Sequence, residues 1–224
     1  MIHQEQKRWL IAPPAPSDYL DRLADHDIHP VLAQVLYNRG FDTPEAALEF
    51  LARHYLADDN PFLLKGMAEA TYRLRLAIRR GDPVVVYGDF DADGVTSTVL
   101  LTEVLARLGA DVRPYIPDRV DEGYGLNSPA LKALAEDGVR VVVTVDCGIR
   151  SVKEVEDGIS YGLDMIVSDH HSVGPVLPPA LAVINPRQPG DPYPEKGLAG
   201  VGVTYKLVQA LYMEAQRRGY RAGA

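Results

Sequence analysis

Val84-Val85-Val86-Tyr87-Gly88-Asp89-Phe90-Asp91-Ala92-Asp93-Gly94 decides how the rest of the sequence is read. Four apolar residues of β-forming type without alternation fit a strand buried on both faces, and such strands belong to parallel sheets covered by helices. The run ends in glycine and then sets three carboxylates on alternate positions, which would share one side of an extended segment. Outward from this point, short Val/Ile-rich runs alternate with helical stretches. Strands are expected from Val84 to Tyr87, Val112 to Ile116, Val139 to Val145, Met165 to Val167 and Leu181 to Ile184. Helices are expected from Val95 to Leu108, Ser128 to Glu136, Val152 to Tyr161 and Val201 to Arg218. The fold class is therefore α/β, a parallel sheet flanked by helices.

Upstream of Gly81 the periodicity changes. Leu20, Leu23 and Ala24, then Val31, Leu32, Val35 and Leu36, recur at helical spacing, and Asn38-Arg39-Gly40 closes the second series with a glycine stop. Thr43-Pro44 reads as a cap and first turn. Met67 to Arg80 reads as a longer helix whose Arg73, Arg75, Arg79 and Arg80 are expected to be solvated. This places a helical N-terminal appendage at residues 1–80 and the sheet domain at residues 81–224.

Composition narrows the class. Of 224 residues, 46% are hydrophobic and 24% charged, enough apolar material for a buried core. The only cysteine, Cys147, excludes an intramolecular disulfide or a multi-thiolate zinc site and suits a reducing compartment, so the cytoplasm is expected. Gln4, Glu5, Lys7 and Arg8 make the first segment a poor signal-peptide core, and no apolar run reaches membrane-spanning length, so no membrane partner is expected. The formal charge of -8 is opposite to that of a typical non-specific nucleic-acid binder.

The unusual chemistry falls at the expected carboxyl ends of strands, where ligands sit in such sheets. The first carries Asp89, Asp91 and Asp93; the third leads into Asp146-Cys147-Gly148; the fourth leads into Ser168-Asp169-His170-His171. Carboxylates this close repel one another unless a cation neutralises them. Carboxylates joined by imidazoles suit Mn²⁺ or Mg²⁺, and imidazole shifts the choice towards Mn²⁺. A lone Asp after a strand is more often a helix N-cap, and Asp93 before Gly94 fits that role, but capping leaves the full set unexplained. Asp89 to Gly94 also matches the start of an EF-hand loop, which fails because Leu100 stands where the bidentate Glu belongs. Gly200-Val201-Gly202 lacks the third glycine of a dinucleotide fingerprint. His3, His26, His29 and His54 have no matching acidic cluster and are expected to be structural or at the surface.

Gly88–Gly94, Val145–Gly148 and Asp169–His171 resemble the first three motifs of the DHH phosphoesterase superfamily. Leu36-Tyr-Asn-Arg-Gly40, the stretch from Ile116 to Asn127, and the stretch from Leu198 to Lys206 narrow the resemblance to its bacterial single-strand-specific 5′→3′ DNA exonucleases, from about His29 to Leu211. The resemblance implies Asp91, Asp93, Asp146 and His170 as ligands of Mn²⁺ or Mg²⁺, two ions in the complete protein, with Asp89 a weaker candidate. Asp146 would bridge the ions, and His171 would meet the phosphate. Asp169 would orient an imidazole or cap the next turn. Arg119 and Tyr124 are candidates for gripping phosphate and stacking a base, against the plainer reading of a turn with an exposed arginine. The expected substrate is single-stranded DNA, with a helicase and a single-strand-binding protein as possible partners. Short oligoribonucleotides, cyclic dinucleotides or pyrophosphate are alternative substrates within the superfamily, and a non-catalytic scaffold is a further alternative. The superfamily's fourth acidic motif and second half have no counterpart before Ala224, so the chain is expected to be an N-terminal part that binds DNA weakly by itself.

Overall fold

A computed structural model describes residues 10–52, 60–120, 123 and 125–217. Two compact units divide between Asp58 and Asp59. In the first, α1 (Ser17–Ala24), α2 (Pro30–Asn38) and α3 (Pro44–Ala52) pack through Tyr19, Leu23, Ala33, Leu36 and Ala47. His29 caps α2, its Nδ1 accepting from the Val31 amide at 3.2 Å, and Thr43 Oγ1 accepts from the Ala46 amide at the start of α3.

The second unit is built on five parallel strands in the order β2-β1-β3-β4-β5: β1 (Val84–Tyr87), β2 (Val112–Tyr115), β3 (Val141–Val145), β4 (Asp164–Ser168) and β5 (Ala182–Ile184). Alternate residues of these apolar runs feed opposite faces. Val84, Val86, Val141, Val143, Val145 and Ile166 join one core, shared with α4 (Met67–Arg80), α5 (Ala92–Arg107) and α8 (Gly200–Arg217). Val85, Tyr87, Val142, Met165 and Val167 join the other, under α6 (Ser128–Glu136) and α7 (Val152–Ser160). Burial on both sides is why β1, β3 and the middle of β4 read as apolar runs without alternation, whereas the edge strand β2 carries Arg113 and Pro114.

Two expectations from the sequence need correction here. Helix α4 lies in the sheet unit, because Met67, Leu74 and Ala77 are buried in the same core as β1 and β3. The compact unit thus begins at Asp59, and the change of periodicity at Gly81 marks the passage from a covering helix to the first strand. Nor are all the arginines of α4 solvated. Arg73 is buried and bridges Asp82 at 2.9 Å and Asp164 at 2.6 Å, while Arg75 pairs with Glu214 of α8 at 2.6 Å. Their side chains face the layer beneath, where acidic partners at strand starts and on α8 receive them; Arg79 and Arg80 remain outside these pairs.

The chain leaves β1 towards β2 on one side and returns to β3 on the other, so the strand order reverses between β1 and β3. Their carboxyl ends form the crevice in which ligands of open α/β sheets bind.

Candidate metal centre

The Asp89–Gly94 stretch does not run extended. Asp91 is the N-cap of α5, its Oδ1 accepting from the Asp93 and Gly94 amides at 2.9 Å each, so the helix opens at Ala92 and not at Val95. The cap is therefore Asp91 and not Asp93. The cause is steric as well as polar: Gly94 sits so close to Asp89 that a β-carbon there would lie 2.5 Å from the Asp89 carbonyl oxygen, and only a helical turn with glycine fits. Asp89 is buried, and its Oδ1 accepts from the Phe90 amide at 2.7 Å.

Asp93 lies in the first turn of α5 and faces α8. Its Oδ2 and Oδ1 accept from the Gly200 and Val201 amides, both at 2.7 Å, so the N-terminal end of α8 is satisfied by a carboxylate from the neighbouring helix. The segment Gly200-Val201-Gly202, which has no role as a nucleotide fingerprint, thereby has a structural one. A β-carbon on Gly200 would lie 2.5 Å from Asp146 Oδ1, so glycine lets the helix end approach the carboxylate.

Asp146 follows β3 in the left-handed backbone region, φ 61°. For a residue with a side chain this costs about 1 kcal/mol, tolerated best by Asn and Asp. The turn is held by the Asp146 amide donating to the Ser168 carbonyl at 3.0 Å and the Thr144 hydroxyl donating to the Cys147 carbonyl at 2.8 Å. The carboxylate is 1% exposed, yet Oδ1 has no hydrogen-bond partner; His170 Nε2 stands 3.1 Å away without hydrogen-bond geometry. Burial, reinforced by Asp93 and Asp91, pushes its pKa up to about 7. A neighbouring cation would reverse that balance.

Asp169 at the end of β4 is equally buried and fully engaged. Oδ2 accepts from the Ile149 amide at 2.9 Å; Oδ1 accepts from the His170 and His171 amides and lies 2.7 Å from His171 Nδ1. Its Oδ1 thus contacts the His171 imidazole and, through the two amides, closes the turn after β4. His171 is half-exposed and lines a cleft of about 510 Å³ together with Asp169 and His170. Cys147 is buried beneath the site with its thiol held protonated, the pKa raised chiefly by burial, and is no candidate nucleophile.

Among the described residues, two groups of side chains bring ligand atoms within 4.8 Å of one another: Asp89, Asp91 and Asp146, and Asp146, His170 and His171. Asp146 is common to both. Asp89 lies in the first group, while Asp93 belongs to neither; its oxygens accept from the α8 amides, and Oδ2 is 3.6 Å from His170 Nε2. His171, expected to meet only phosphate, also falls in the second group. An orphaned buried carboxylate, two further carboxylates and imidazole nitrogen form a donor set that fits Mn²⁺ or Mg²⁺.

Arg119 stacks on the Phe90 ring at 5.0 Å, which brings it beside the Asp89–Asp91 segment. Tyr124 lies outside the described residues. Sequence reading passed over Asn185, whose buried amide donates to the His171 carbonyl at 3.0 Å, and over Arg150 and Arg187, which line the cleft. Only their position after the third and fifth strands could have signalled them.

Comparison with known proteins agrees with this geometry. Residues 83–222 match the model of the DHH family, N-terminal domain. The single-stranded-DNA-specific exonuclease RecJ of Bacillus subtilis is 44% identical over 92% of this chain and 26% of its own length, and that of Escherichia coli is 41% identical over 70% and 27%. The crystal structure of RecJ in complex with Mn²⁺ from Thermus thermophilus superposes with a TM-score of 0.68 at 33% identity, over 92% of this chain and 28% of that one. A manganese-bound exonuclease RecJ superposes with a TM-score of 0.63 at 40% identity, over 71% and 40%. The chain spans about a quarter of the length of these curated relatives.

Proposed function

The chain belongs to the DHH family, and from that premise we propose that it carries the metal-dependent half of a single-strand-specific DNA exonuclease acting 5′→3′. The observation that supports this reading most is Asp146, a buried carboxylate with an unpartnered oxygen, shared by two groups of metal-compatible side chains. The RecJ structures bound to Mn²⁺ are of relatives that superpose on this fold.

Asp89, Asp91, Asp146 and His170 would hold the cations, with Asp93 flanking them. Bound there, a divalent pair supplies an activated water and charge neutralisation for in-line displacement at phosphorus. The protein's own part is positional and acid–base. Asp91 and Asp93 are fixed by the ends of α5 and α8, so the acidic side of the site needs no rearrangement to receive phosphate. Asp169 accepts the Nδ1 proton of His171 in a hydrogen bond; in the doubly protonated imidazolium, which carries N–H on both nitrogens, the second ring nitrogen donates to a non-bridging phosphate oxygen or hands its proton to the leaving oxygen. Arg119, whose guanidinium carbon lies 5.0 Å from the Phe90 ring centre, is near enough to the Asp89–Asp91 segment to meet an incoming phosphate.

Among the described residues no helix is long and apolar enough to cross a membrane. A cytoplasmic setting, with a helicase and a single-strand-binding protein supplying the substrate, goes with this reading.

Incubation of the chain with Mn²⁺ and end-labelled single-stranded DNA tests it, with Asp146→Ala in parallel to expose contaminating nuclease. Release of label from the 5′ end that disappears in the variant is the expected result. Cleavage of a dinucleotide in preference to the long strand would move the substrate to short phosphodiesters, and no turnover of either would refute catalysis by this half alone.

A further inference from the structure

The cleft beside His171 has a wall that the mechanism above does not use. Leu126 and Ile149 give it an apolar lining, and Arg150, Glu154 and Arg187 give it charge. Its volume of about 510 Å³ lies in the range of roughly 300–1,000 Å³ that accommodates a small organic ligand, enough for one nucleotide.

Each arginine is tethered through one nitrogen. Arg150 Nε donates to the Ser172 carbonyl at 2.8 Å, and Arg187 Nε donates to the Lys196 carbonyl at 3.1 Å. Neither forms an ion pair among the described residues, where other arginines of this unit, Arg73, Arg75, Arg107, Arg113 and Arg217, do. An arginine held by Nε keeps both terminal amino groups as a fork that matches two phosphate oxygens.

Both arginines are tied to the segment that carries His171. Ser172 follows it directly, and the Ile149 amide preceding Arg150 donates to Asp169. Asn185 donates to the His171 carbonyl at 3.0 Å and accepts the Arg187 amide at 2.8 Å, so one buried side chain sets Arg187 in register with the histidine. Of the acidic groups in the lining, Asp169 is engaged by three amides and His171, which leaves Glu154 against two arginines.

We propose that Arg150 and Arg187 form a phosphate-binding wall that grips the substrate strand at the phosphodiester next to the one held at the Asp146 centre. The inference rests on the nuclease reading above and adds a place for the neighbouring backbone unit. It gives this acidic chain a local positive contact for a strand, on the histidine side of the site and opposite in sign to the Asp89–Asp93 side.

The test is equilibrium binding of a fluorescent single-stranded oligonucleotide of about 12 nucleotides, read by anisotropy between about 50 and about 200 mM salt. EDTA is present, so binding is measured without cleavage. Arg150→Ala/Arg187→Ala should raise Kd at least tenfold and flatten the slope of log K against log salt by about 0.7 for each phosphate left unneutralised. Arg79→Ala/Arg80→Ala, which removes the same charge from the far end of α4, should stay within twofold. Arg150→Lys/Arg187→Lys should keep part of the affinity that the double alanine variant loses, because the charge is retained without the fork. Equal behaviour of the two double alanine variants, or no salt-dependent binding by the unaltered chain, would overturn the proposal. A dinucleotide with one cleavage-resistant phosphorothioate linkage, titrated in a parallel series with Mn²⁺ in place of EDTA so that the Asp146 centre is loaded, separates the two sources of this chemistry. Its affinity should be unchanged in the double variant; weakening by the same factor as the oligonucleotide would assign the arginines to the reacting phosphate instead. If the nuclease reading alone is wrong, the chain fails to cut DNA with Mn²⁺ yet still binds the strand through these two arginines.

Discussion

The carboxyl ends of β3 and β4 lie side by side, and each presents a buried aspartate 1% exposed, but the two are in opposite states. Asp169 receives three amides and an imidazole and has little left to offer. Asp146 sits on a left-handed backbone with an oxygen that nothing donates to, and its pKa is pushed up to about 7. A satisfied buried carboxylate is scaffold, whereas an unsatisfied one stores unfavourable energy that a ligand can release. The neighbouring strand ends thus differ in kind: β4 fixes the histidine segment, and β3 presents a buried charge left open for a cation to neutralise.

The largest effect should come from removing that charge. Asp146→Ala is expected to lower Mn²⁺-dependent turnover by about 10³-fold or more while far-ultraviolet circular dichroism stays unchanged, since Oδ1 accepts no hydrogen bond that the fold depends on. Asp169→Asn breaks the other side of the comparison. Its amide group must face the Ile149 amide or His171, leaving a buried donor unpaired, so thermal or urea unfolding should show a loss of about 2–3 kcal/mol.

Next in size is the response to pH. In the metal-free chain Asp146 keeps its proton to about pH 7, against an ordinary value of 3.8. Between these the folded state binds more protons than the unfolded one, so metal-free stability should fall as pH rises from about 4 towards 7. Because a cation competes with that proton, apparent Mn²⁺ affinity should climb up to about tenfold per pH unit below 7 and level off above it. The smallest expected effect has the opposite sign to that of Asp169→Asn. At pH 8, Asp146→Asn should stabilise the metal-free chain by about 1 kcal/mol, as removal of a buried unpaired charge does, and denaturant midpoints would show it.

Much of this was legible in the sequence, for reasons that differ by element. The Val/Ile runs of β1, β3 and β4 announce a doubly covered sheet because both faces are buried. The acids and histidines stand out because carboxylates cluster at strand ends only when something compensates them. Backbone direction was not legible: whether Asp91 or Asp93 caps α5 depends on how closely Gly94 approaches Asp89, a contact between residues that local propensity treats alike. Arg73 was misread as solvated because its partners Asp82 and Asp164 come together only when β4 is laid into the sheet. Arg150 and Arg187 are ordinary loop residues until Asn185 and Ser172 tie them to His171.

Calorimetric titration of the chain with Mn²⁺ near pH 7, repeated in two buffers of different ionisation enthalpy, tests the central claim about Asp146 most directly. Binding that releases a proton and is abolished by Asp146→Asn, but survives in weakened form in Asp169→Asn, is the result expected. Equal Mn²⁺ affinity in the unaltered chain and in Asp146→Asn would contradict it.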